Sequence, residues 1–153
     1  MRKLLLCFLL TIPCFAFAQT AERIERLLRQ DRVSYRDAAL LVLEAAGHYD
    51  PPGHLDSEEQ TSANDAFSFA MKRGWLPEGA QADSDAMLGG LSLLVVQAFD
   101  IDGGVLFSFF KNPHYAYRVM VYRGIIQGRI DPQMPVSGEL LLFMVNRVIS
   151  KEQ

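Results

Sequence analysis

The side chains able to do chemistry in this sequence are few and scattered. His48, His54 and His114 show no metal-ligand spacing. Asp100-Ile101-Asp102-Gly103 begins like a calcium loop, but the further carboxylates and the terminal Glu are missing, so it reads as a turn. No Ser-His-Asp order and no phosphate-binding glycine loop has a supporting strand-turn-helix context. No base, nucleophile and oxyanion site converge, so the sequence predicts no catalysis and calls for no cofactor or metal. What remains is binding chemistry. Ser34, Tyr35, Arg36 and Asp37 cluster at one helix start, Ser137 and Glu139 at another, and Arg73, Trp75 and Arg123 stand beside turns. Each also has a plainer role. Ser34, Asp37, Ser137 and Glu139 suit helix caps, worth about 1 kcal/mol each. Arg73 and Arg123 precede helix-stopping glycines, where a cation favours the helix dipole by about 0.3–1 kcal/mol. Trp75 can stack on a sugar ring or fill a half-buried site.

These residues need elements to hold them, and apolar periodicity supplies six helices. The first covers Glu22 to Arg29, with Glu22/Arg26 and Glu25/Arg29 as i,i+4 pairs. The second starts at Val33-Ser34, with Ser34 and Asp37 resembling a capping box, and ends at Gly47. After a polar Pro-Gly-rich connection from His48 to Ser62, a third helix runs from about Ala63 to Arg73 and stops at Gly74. The fourth, about Ser84 to Phe99, is apolar almost all round in its second half, which predicts a central buried helix; its Gly89-Gly90 pair suggests close backbone packing. Residues 103–112 read as a short irregular or strand-like segment. The fifth and sixth helices run from about His114 to Arg123 and from about Ser137 to Val148.

Composition sets the setting. Arg2 and Lys3, the apolar run Leu4 to Ile12 and the small-x-small pattern Ala16-Phe17-Ala18 predict a signal peptide over residues 1–18, cleaved before Gln19. A lipoprotein reading through Cys14 competes with it, although Pro13 stands where a small residue is wanted. Both cysteines lie in that segment, so the mature chain would carry no disulfide and no thiol site. The remaining 153 − 18 = 135 residues suffice for one domain. Their net charge, 13 − 18 = −5, argues against nucleic acid and disfavours a strongly anionic membrane surface. No later apolar run is long enough to span a bilayer.

The chain also repeats. At a shift of 50, Arg73-Gly74-Trp75-Leu76 meets Arg123-Gly124-Ile125-Ile126, and Leu91, Leu93 and Val95 meet Leu141, Phe143 and Val145; at a shift of 103, Val33-Ser34 meets Val136-Ser137. This divides the chain into three helix-loop-helix units at about 20–48, 62–100 and 113–150, the first abbreviated and none able to bury its apolar face alone.

The stretch Tyr115 to Ile149 resembles a surface-layer homology (SLH) repeat, with its turn at Gly124-Ile125-Ile126-Gln127-Gly128, loop prolines Pro132 and Pro135, and helix start Val136-Ser137-Gly138-Glu139. Gly74-Trp75-Leu76 and Val33-Ser34-Tyr35-Arg36-Asp37 carry the resemblance into the other units. It implies a compact, roughly threefold all-α bundle that binds wall-linked polysaccharide or peptidoglycan in grooves between units. The family's helix-start arginine is absent: Tyr35, Ser84 and Gly138 stand near its place, and Arg36 is one position away. Two functions therefore compete for an exported, non-catalytic protein of the periplasm or cell envelope of a bacterium. One is attachment to cell-wall glycan. The other is a protein adaptor or structural subunit of an envelope assembly. They separate on whether Arg36, Trp75 and Arg123 line one cleft, and on whether Val105 to Phe110 forms an exposed apolar patch suited to a partner.

Overall fold

The computed structural model describes residues 21–49, 56–128 and 130–152. The expected signal peptide with Cys7 and Cys14, and His54 in the first connection, lie outside the described residues. The fold is all-α. Among the described residues there are seven helices: α1 over 21–28, α2 Tyr35–Ala45, α3 Asp56–Lys72, α4 Leu88–Ala98, α5 Gly104–Phe109, α6 Pro113–Tyr122 and α7 Gly138–Glu152. The units expected from the sequence repeat correspond in order to α1–α2, α3–α4 and α6–α7, and the main helix contacts run between them, α2 packing on α3 and α4 on α6.

Three backbone segments, one from each unit, meet at the centre. The Val33 amide donates to the Val136 carbonyl (2.9 Å), the Val136 amide to Ala86 (2.9 Å), and the Ala86 amide to Val33 (2.8 Å). The ring closes on itself, and all three side chains are fully buried. Flanking bonds extend each seam outward. Tyr35 and Arg36 donate to Ser84 and Ala82, and Leu88 and Gly89 donate to Met134 and Pro132. At the third seam Gly138 donates to Gln30, and no second flanking bond follows. That seam is shorter because residues 30–32 are all that the first unit offers in place of a full loop.

Helix ends repeat as well. In α3 and α6 the amides of Trp75 and Ile125 reach back to Ala70 and Met120, with Gly74 and Gly124 at φ 69° and 65°. This is the Gly-terminated Schellman cap, in which a left-handed residue lets two amides satisfy the last carbonyls. The ends of α2 and α4 match each other at a shift of 53: His48 donates to Leu43 and Ile101 to Val96. Here Gly47 (φ 72°) is replaced by Asp100 (φ 50°), a non-glycine residue held in the left-handed region.

Several boundaries differ from the sequence reading. Helix α3 begins at Asp56, seven residues before Ala63, through an all-polar stretch with no apolar stripe to reveal it. Helix α4 begins at Leu88 rather than Ser84, because residues 84–87 are drawn into the seams on either side. Ten of its eleven residues are buried, which makes it the central helix. The segment near 103–112 is neither irregular nor strand-like: Gly104–Phe109 is helical, the Asp102 carboxylate accepting from the Gly104 amide at 2.9 Å.

Gly138 marks the tightest approach. A Cβ there would lie 1.7 Å from the Leu27 carbonyl oxygen, the last turn of α1 pressing directly on the start of α7. Gly→Ala at an ordinary helical position gains about 1 kcal/mol. Gly138→Ala is expected to reverse that sign and lose at least about 2 kcal/mol, measured by urea denaturation. Asp100→Gly should instead gain up to about 1 kcal/mol in the same assay, since it relieves the left-handed position.

Candidate functional site

The helix-start candidates are largely absorbed by the fold. Ser34 caps α2, its hydroxyl accepting from the Asp37 amide at 3.2 Å and donating to the Asp37 carboxylate at 2.8 Å. The resemblance to a capping box is therefore partial, because the carboxylate holds the serine hydroxyl. Ser137 caps α7 through the Leu140 amide at 3.2 Å, while Glu139 is exposed in the first turn. Tyr35 is buried, not presented to a ligand. Its hydroxyl accepts from the Met87 amide at 3.3 Å, and its ring fills the space left by Gly90, where a Cβ would come 2.3 Å from that oxygen. In the register set by the central ring, Leu88, and not Ser84, is the counterpart of Tyr35 and Gly138. A tyrosine, a leucine and a glycine thus fill three equivalent slots, each cut to its own seam.

Arg36 survives as a surface group. Its guanidinium pairs with Asp83 of the second unit at 2.5 Å and lies 4.0 Å from Asp37. It borders a cleft of about 260 Å³ to which α1 contributes Arg23, Ile24, Arg26 and Leu27, the residues after it Gln30, α2 Asp37, Leu40 and Leu41, and α3 Ala63. Arg23 forks onto both carboxylate oxygens of Glu44, at 2.9 and 2.5 Å. Among the described residues, the buried Gln30 side-chain oxygen has no hydrogen-bond partner. The lining holds three arginines and one aspartate over an apolar floor, with Glu44 and Asp83 pairing to Arg23 and Arg36 from outside it. The cleft is therefore rich in donors, with fewer acceptors.

The other two candidates lie elsewhere. Trp75 is half-buried, meeting the His48 ring (centroids 5.2 Å apart) and the Phe69 ring (5.9 Å) edge-on. Arg73 lies over Phe69 and Trp75 at 4.5 and 5.2 Å, so its charge rests on aromatic faces. Arg123 donates to the Asp102 carbonyl at 2.8 Å, and its own carbonyl accepts from Lys151. Arg36, Trp75 and Arg123 therefore share no cleft. Sequence reasoning missed Arg23, Arg26 and Gln30, which read only as the polar face of a short helix. Their neighbourhood with Arg36 depends on how α1 lies across α2, which no spacing encodes.

Among the described residues, no three His, Cys, Asp or Glu side chains are placed to hold a metal ion, and no helix is long and apolar enough to cross a membrane. Of the histidines, His48 bonds the Ala98 carbonyl at 2.7 Å and His114 packs edge-on against Tyr115.

Burial raises the ionisation of the Tyr35 hydroxyl above its ordinary range, the Met87 hydrogen bond opposing it in part. The folded protein therefore holds this proton where the unfolded chain releases it. Stability from this residue is complete below about pH 10 and is lost as the pH rises through the folded value. Spectrophotometric titration should show one of the five tyrosines ionising late, and Tyr35→Phe should remove that late step.

Comparison with known proteins finds no matching family, no matching curated protein and no matching solved structure.

Proposed function

We propose that this chain is a non-catalytic, exported module of the bacterial envelope that attaches to cell-wall polysaccharide or peptidoglycan in the cleft between α1, α2 and α3. The observation that carries the reading is the composition of that cleft. Arg36 and Asp37 stand at the helix start, joined by Arg23, Arg26 and the Gln30 oxygen over Ile24, Leu40 and Leu41. Sugars present hydroxyls that both donate and accept, with apolar C–H faces between them, and arginine donors set beside the Asp37 and Gln30 acceptors over an aliphatic floor suit that chemistry. The SLH resemblance supports the same class of ligand. A second reading, an adaptor or structural subunit of a periplasmic or outer-envelope assembly, is favoured by two observations: Arg36, Trp75 and Arg123 share no cleft, and α5 turns an apolar face outward.

Sedimentation with purified peptidoglycan sacculi tests the first reading. The protein should pellet saturably, and Arg36→Ala should weaken binding about tenfold, the loss of one charge-assisted hydrogen bond. Trp75→Ala and Arg123→Ala should pellet like the parent, because neither side chain borders the cleft. Thermal unfolding run beside the assay separates a lost contact from a loosened seam at Asp83. A folded parent that stays in the supernatant removes the glycan reading.

A further inference from the structure

Helix α5 is built the wrong way round for a soluble protein. Val105, Leu106, Phe109 and Phe110 are 73, 56, 78 and 55 % exposed, while only Phe107 of this stretch is buried. At helical spacing Val105, Leu106 and Phe109 fall on one continuous face of α5, with Phe110 following as its non-helical C-cap, so the apolar stripe that ordinarily faces a core faces solvent. Phe107 anchors the helix from the opposite side, with Gly103 against its ring. Phe110 stacks on Tyr115 of α6.

Charge marks the same region. From Gly103 to Ile130 the sequence holds Lys111, Arg118, Arg123 and Arg129 and no Asp or Glu. A chain of net charge −3 thus divides into a +4 stretch and a −7 remainder. The overall negative charge, which disfavours an anionic membrane surface, is an average over two unlike parts. Lys111 follows directly on the apolar face, and His114, Arg118 and Tyr122 continue at i,i+4 spacing along the exposed side of α6, with Tyr122 89 % exposed.

From these observations we propose that α5 is an interfacial anchor: Val105, Leu106, Phe109 and Phe110 enter the headgroup–acyl boundary of a lipid bilayer, and Lys111 and Arg118 meet anionic headgroups. An amphipathic element with aromatic and aliphatic side chains on one side and cations beside them is the pattern of surface-lying membrane contacts. A second copy of the chain is a poorer occupant. One six-residue helix presents far less than the roughly 800 Å² per partner that a stable dimer buries. A bilayer needs no matching groove and takes side chains that project from a convex turn.

The test places the reporter in the helix itself, so that contacts made by any other segment do not register. In a Trp75→Phe, Phe109→Trp variant, the only tryptophan sits on the exposed face. Added vesicles of phosphatidylcholine with a quarter phosphatidylglycerol should shift its emission to the blue, and acyl-brominated lipid should quench it. Adding Lys111→Glu and Arg118→Glu should weaken the partition at least tenfold in low salt, and raised salt should weaken the parent in the same direction. Emission unchanged by vesicles, with cooperative unfolding intact, overturns the proposal and leaves α5 to a protein partner. Equal insertion into pure phosphatidylcholine overturns the role of the cations.

Discussion

The molecule depends on three hydrogen bonds between Val33, Ala86 and Val136 that close in a ring. Each lies in a dry core, where an unpaired amide or carbonyl costs about 1–3 kcal/mol. No one unit can satisfy its own central segment, so every unit needs both neighbours. These contacts lie 50 to 103 residues apart in sequence, so the fold is set by pairings of high sequence separation despite being all-helical. The extended segments that make the ring then turn at once into α2, α4 and α7. Where those helices begin, and which side chains their first turns present, is fixed by the ring.

That constraint explains the fate of the helix-start residues. A side chain immediately after the ring is aimed across the neighbouring seam, where space is decided by the next unit. Between the first and second units the slot takes a tyrosine, because Gly90 and Pro77 leave room for a ring whose hydroxyl reaches Met87. Between the third and first units the carbonyl of Leu27 occupies the slot, and only glycine fits. Arg36, one residue further on, spans the same seam to Asp83 while keeping part of its side chain exposed. The residue types at the three slots thus follow from the packing at each seam. The cleft beside Arg36 is formed by the abbreviated first unit, whose missing loop lets α1 lie close over α2.

Much of this architecture was legible in the sequence, and the parts that were not share a physical reason. The all-α class, the repeat at 50 and 103, the glycine stops and the serine caps could be read, because each rests on a local backbone demand that few residue types meet. Gly74 and Gly124 are left-handed whatever surrounds them; Asp100 fills the same role at the end of α4, and a non-glycine there gave no signal. The start of α3 was hidden because Asp56 to Gln60 has no apolar stripe. The fourth helix was expected from about Ser84, but that residue closes a turn instead, its amide and hydroxyl both donating to the Gln81 carbonyl. The candidate site was only half legible: Arg36 and Asp37 could be named, while Arg23, Arg26 and Gln30 join them only through the crossing of two helices.

Helix α5 shows the limit most clearly. A run of Val, Leu and Phe is the usual mark of burial, and sequence gives no means to tell an inward face from an outward one when the helix is six residues long. The ring and its seams do not involve α5, and Phe107 is its buried anchor. The exposed side chains of Val105, Leu106 and Phe109, with Phe110 at the C-cap, therefore do little for the stability of this fold, while their exposure favours aggregation. Charge argues the same way along the sequence, since residues 103–130 hold four cations and no carboxylate, the nearest acid being Asp102 at the amino end of α5. Apolar exposure and segregated charge are each unfavourable alone. Together, on one short helix and the helix that follows it, they describe a surface whose resting partner is outside the chain.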